Sequence, residues 1–80
     1  MIKLLYFARL RESLGCAEET LDNTPDTVAE LLGLLSARGG QWQETLAGQV
    51  LVAVNQEMAK PEQPLSDGDE VGLFPPVTGG

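Results

Sequence analysis

Pro75-Pro76 followed by Val77-Thr78-Gly79-Gly80 is the stretch where residue types and spacing point most directly to chemistry. Proline lacks an N–H and fixes φ, so a Pro-Pro pair stops a strand and holds the next residues extended. Gly79 and Gly80 have no side chain, so an enzyme channel can close around their backbone. A glycine carboxylate also cannot racemise when it is activated. The pattern reads as a carboxyl group on a slim arm, with residues 1–74 as a domain and residues 75–80 as an extended, flexible tail. Residues 77–80 are too small to offset backbone ordering at roughly 1–2 kcal/mol per residue, so the tail is expected to order only inside a partner.

The remaining candidates carry less. Glu18-Glu19 and Asp67-Gly68-Asp69-Glu70 hold enough carboxylates for acid/base or metal work, but acidic residues around a glycine turn serve as turn formers and solvated ends. Cys16 is the only cysteine and the sequence has no histidine to activate it. A disulfide framework and a Cys-only metal site are thereby excluded, and no metal is expected. Arg9 and Arg11 bring two of the five Lys plus Arg residues together beside the first strand. They either receive a partner's carboxylate or phosphate or stay solvated.

Eighty residues make one domain with a thin core. With 12 Asp plus Glu against 5 Lys plus Arg, the net charge is −7. Phosphate backbones and anionic lipid would repel such a chain, which argues against nucleic-acid and membrane partners. The longest apolar run, residues 50–54, is far short of the ~20 residues of a membrane span. The sequence enters a strand pattern at Ile2 without the apolar core of a signal peptide, so the expected location is the cytoplasm.

The elements that must position the arm can be read in order. Residues 2–8 form an apolar run that suggests a central strand with both faces largely covered. A turn at residues 13–16 then leads to a weaker strand over 17–21, as an N-terminal hairpin. Thr27-Val28-Ala29-Glu30 matches a capping box, and Val28, Leu31, Leu32 and Leu35 follow as one helical stripe. Gly39-Gly40 stops that helix, and residues 41–47 add a short helical turn. Residues 50–54 and 70–74 are strands, with a polar loop and one short edge pairing around Met58 between them. Two strands, one main helix and two or three strands describe a two-layer α+β fold. The β-grasp, or ubiquitin-like, architecture is the best candidate: a mixed sheet of four to five strands on one helix.

Leu65-Ser66-Asp67-Gly68-Asp69-Glu70-Val71 and the ending Phe74-Pro75-Pro76-Val77-Thr78-Gly79-Gly80 resemble the sulfur carrier subunits of molybdopterin synthase, the MoaD family. The opening Ile2-Lys3-Leu4-Leu5-Tyr6-Phe7-Ala8 with Arg11-Glu12, and Ala53-Val54-Asn55-Gln56, resemble it too. The resemblance implies that an ATP-consuming activating enzyme adenylates the Gly80 carboxylate. A desulfurase- or rhodanese-type donor then converts it to a thiocarboxylate. It further implies docking on the large subunit, two small with two large, and sulfur transfer to cyclic pyranopterin monophosphate. No permanently bound cofactor is implied, and the chain is not catalytic alone. Gly79 and Gly80 would carry the reaction, with Arg11, Pro75, Pro76, Val77 and Thr78 at the partner.

Phe7, Met58 and Phe74 correspond to interface positions of that family and either form an apolar patch on the sheet face away from the helix or fill the core. Three rival functions share the Gly-Gly ending or the fold. One is a thiamin-type sulfur carrier, one a ubiquitin-like modifier joined to lysines, and one an interaction domain with an inert tail.

Overall fold

The computed structural model describes residues 1–48 and 50–76, which form β1 (Ile2–Tyr6), α1 (Ala8–Leu14), β2 (Glu18–Leu21), α2 (Val28–Ser36), α3 (Gly40–Ala47), β3 (Leu51–Val54), β4 (Glu57–Ala59) and β5 (Glu70–Phe74). Strand alternation decides which face becomes core. Ile2, Leu4 and Tyr6 of β1, Val52 and Val54 of β3, and Val71 and Leu73 of β5 point to one side and are buried. Leu10, Val28, Leu31 and Leu35 from the helices meet them there, with Leu65 from the loop before β5. The strands run in the order β2-β1-β5-β3-β4; β1 and β5 are parallel and the other pairs antiparallel. This is a two-layer α+β sheet with helices on one face, the β-grasp arrangement.

The capping box forms as its residues require. Thr27 is extended and its Oγ1 accepts from the Glu30 N–H at 3.2 Å, which starts α2 on the residue that begins the buried stripe. Gly39, at φ 75°, separates α2 from α3, and Gly40 follows at φ 54°. Two non-glycine residues, Asn55 and Gln56, have φ 52° and 71°, the paired left-handed conformation of a two-residue hairpin turn. They join β3 to β4 and bring Met58 opposite Ala53.

Three expectations need correction. The central strand is β5, flanked by β1 and β3; β1 has one covered face, while Lys3 is exposed and Leu5 half-buried on the other. β1 and β2 do pair antiparallel, Ile2 opposite Leu21, but a helix connects them rather than a turn. The sheet therefore carries three helices among the described residues, not one main helix with a single extra turn. The connecting helix, α1, is seven residues long, too short to show a period. It is held by Leu10, by Leu14 against the core, and by Gly15, whose N–H donates to the Arg11 carbonyl at 3.0 Å in a left-handed cap.

Candidate docking surface

Parallel pairing of β1 and β5 brings the ends of both strands to the same edge, Tyr6 beside Leu73. Phe7 and Phe74 follow directly, and the Phe7 N–H donates to the Leu73 carbonyl at 3.1 Å. Both side chains fall on the open face of the sheet, so the core alternative is settled against. Their rings stack with centroids 4.7 Å apart and planes 5° from parallel. An offset stacked pair of this kind is a rigid apolar platform.

Gly72 makes the stack possible. It lies beneath both rings: a Cβ there would come within 3.1 Å of Phe7 Cε2 and 3.3 Å of Phe74 Cε1. Sequence reasoning missed this residue, although a glycine within an apolar strand is the usual sign of a close approach. Met58, Ala53, Gly72 and Leu5 form one row across four strands. The two small residues in the middle leave a shallow depression of about 60 Å³, walled by Leu5, Phe7 and Phe74 and rimmed by Gln56 and Glu70. Met58 is 66% exposed and Phe7 38%, an apolar surface with nothing folded over it among the described residues.

The rim is tied to the end of the β3–β4 hairpin. Asn55 Nδ2 donates to Asp69 Oδ1 at 3.0 Å, and the Glu70 N–H donates to Asn55 Oδ1 at 3.1 Å. Asp69 Oδ2 in turn accepts from the Ser66 N–H at 2.8 Å. Asn55 thus locks the hairpin to the turn before β5, while Asp69 is a structural turn residue. The Met1 ammonium pairs with Asp67 on the same turn. No group of three or more His, Cys, Asp or Glu residues among the described ones is placed to hold a metal ion. No helix among the described residues is long and apolar enough to cross a membrane.

On the helix side lies one partly exposed polar cluster. The Tyr6 hydroxyl donates to Glu19 Oε1 at 2.7 Å, and Arg38 reaches the same oxygen at 2.8 Å. The Arg38 guanidinium lies 4.3 Å above the Trp42 ring, which meets Tyr6 edge-on at 5.5 Å. Burial, reinforced by the hydrogen bond to Glu19, pushes the Tyr6 phenol well above its usual range. The cluster ties β1 and β2 to α3 and to the turn between α2 and α3.

Pro75 and Pro76 continue from Phe74 and line a cleft with α1 and α3. Arg11 does not line it; its carbonyl caps α1 and its side chain is exposed. Val77, Thr78, Gly79 and Gly80 lie outside the described residues, as does the expectation that the tail is mobile.

The site is thus an apolar face beside the root of an arm, with no catalytic constellation among the described residues. The ThiS family matches residues 4–80, and the chain belongs to that family. Within it, the chain is 46% identical over 82 residues to the molybdopterin synthase sulfur carrier subunit of Escherichia coli (strain K12), covering 100% of both chains. Among solved structures it is similar to a chain of a protein–protein complex of subunits 1 and 2 of molybdopterin-converting factor from Helicobacter pylori 26695. There the TM-score is 0.69 and the identity 25%, over 99% of this chain and 97% of that one. It is also similar to small archaeal modifier protein 1 of Haloferax volcanii, with TM-score 0.77 and 28% identity over 95% and 97% of the two chains.

Proposed function

We propose that the chain is the sulfur carrier of molybdenum cofactor biosynthesis and works in the cytoplasm. The observation that carries the reading is the unpartnered Phe7–Phe74 platform, set directly before the Pro75-Pro76 root of a Gly-Gly arm, in a chain so similar to carrier subunits. The large synthase subunit covers the platform, with Phe7, Met58 and Phe74 as its anchors and Arg11 at the margin. Pro75 to Thr78 lead the arm into the partner, where Gly79 and Gly80 must pass a channel with no room for side chains. Two carriers and two large subunits make the complete synthase.

The chemistry needs an activated acyl group, because a carboxylate is a poor electrophile. A Gly80 carboxylate oxygen attacks the α-phosphate of ATP on the activating enzyme, and pyrophosphate leaves. The terminal sulfur of a persulfide on a desulfurase- or rhodanese-type donor then displaces AMP at the carbonyl carbon. A thiol reductant cleaves the resulting acyl disulfide, leaving a disulfide on the donor and a thiocarboxylate on Gly80. That sulfur is the nucleophile delivered to cyclic pyranopterin monophosphate. The partners supply acid/base and phosphate-binding groups, so the carrier contributes a covalent handle and a surface.

Deletion of Gly80 tests the reading. The expected result is complete loss of molybdopterin synthesis with an unchanged thermal midpoint; a truncated chain that still supports synthesis would sink it. Likeness to a small archaeal modifier supports a second reading, a protein tag joined to lysines. Intact mass of the chain from cells separates the two: an oxygen-for-sulfur increment supports the carrier, and lysine-linked adducts support the modifier.

A further inference from the structure

We propose that Arg9 receives a carboxylate side chain of the large synthase subunit at the mouth of the channel that takes up the arm; this rests on the carrier reading above. Ala8, at φ 51°, turns the chain sharply after the Phe7 platform and sets α1 over the end of β5. Between α1 and α3 this leaves an open cleft of about 200 Å³, lined by Arg9, Leu10, Ser13, Thr45, Pro75 and Pro76. The two prolines are the root of the arm. A protein that covers Phe74 and encloses the residues beyond Pro76 must therefore pass over this cleft, which makes it continuous with the docking face.

Charge decides what that protein presents here. Lys3, Arg38 and the Met1 ammonium each have a carboxylate of this chain within 4 Å; Arg9 has none among the described residues, despite 12 Asp plus Glu in the sequence. Arg9 is exposed, so it keeps its water until a partner arrives. A surface complementary to the rest of this acidic chain is basic, and a basic surface would be repelled at Arg9. A carboxylate placed there is matched by the planar guanidinium fork, with Ser13 and Thr45 hydroxyls nearby as further donors. It also fixes orientation, since a docking pose rotated about the aromatic platform would put like charges together. Arg11 cannot substitute, because two residues on a helix turn it about 200° away.

The test measures affinity for the isolated large subunit across a salt series, using the full chain. Arg9→Glu is expected to weaken binding about tenfold or more at low salt, with the difference shrinking at high salt and the thermal midpoint unchanged. Arg9→Lys keeps the charge without the fork and is expected to lose less affinity than Arg9→Glu. If Arg9→Glu binds as the unsubstituted chain does, or loses the same factor at every salt concentration, the inference is wrong while the carrier reading stands. If the unsubstituted chain fails to bind the large subunit, both are wrong. If the Gly80 deletion sustains synthesis while the Arg9 effect persists, only the carrier chemistry fails.

Discussion

On the helix side of the sheet, Ile2, Leu4, Val71 and Leu73 are completely enclosed, and on the other side Leu5, Phe7 and Phe74 stand around two residues with almost no side chain, Ala53 and Gly72. Both faces come from the same period-2 alternation of the same strands. The helix side is filled by branched aliphatics that interdigitate with α2, so its apolar area is already used in folding. The open side keeps its apolar area for later. Stacking two phenyl rings over a glycine lets the chain hold that area rigid without a second layer. On the proposed docking reading, stability and recognition fall to opposite faces, and substitutions should separate them.

The largest effect is expected on the helix side. Leu31→Ala removes a completely buried side chain and should cost about 2–5 kcal/mol in denaturant unfolding, with large-subunit affinity unchanged for the folded fraction. An affinity loss in the folded fraction would blur the division. On the open side, Phe74→Glu should lower affinity by about 30-fold, roughly 2 kcal/mol, while calorimetry shows a near-normal transition. Global unfolding of that variant would return Phe74 to the core.

A smaller effect comes from the Tyr6 phenol. Its folded pKa lies above its usual value of 10.0, so the unfolded chain loses that proton first. Stability is then full below pH 10 and falls above it by about 1.4 kcal/mol per pH unit. In Tyr6→Phe this alkaline slope should vanish, at the cost of the hydrogen bond to Glu19. The smallest effect is expected at Ala8, whose left-handed conformation costs roughly 1–2 kcal/mol. Ala8→Gly relieves it but loosens the unfolded chain by about 0.4–1 kcal/mol, so the net change in unfolding free energy should stay within about 1 kcal/mol.

Much of the helix side is legible in the sequence because its signals are periodic. Thr27 and Glu30 announce α2, and Val28, Leu31 and Leu35 repeat at helical spacing over the core. The open side is less legible. In residues 2–7 both alternating positions are mostly apolar, so pattern alone leaves the side of Phe7 undecided, and only the β1–β5 register settles it. α1 is hidden for a different reason: seven residues give Leu10 and Leu14 one repeat. Gly72 acts through two rings that only the fold brings together. The arm stands out, by contrast, because Pro-Pro and Gly-Gly speak through backbone chemistry rather than contacts.

The central place of β5 also bears on how the chain is made. β1 leaves the ribosome before β5 and waits with one edge unpaired until β5 emerges, because Lys3 pairs with Glu70 and Tyr6 with Leu73. β3 waits for the same strand on its other side. Neither half of the sheet can close before the segment leading into the arm has left the ribosome. A nascent chain cut short after β4 but before residue 70 therefore leaves the edges of both β1 and β3 unpaired. A fragment without β5 also lacks Gly72 and Phe74, so it cannot present the stacked aromatic face at all.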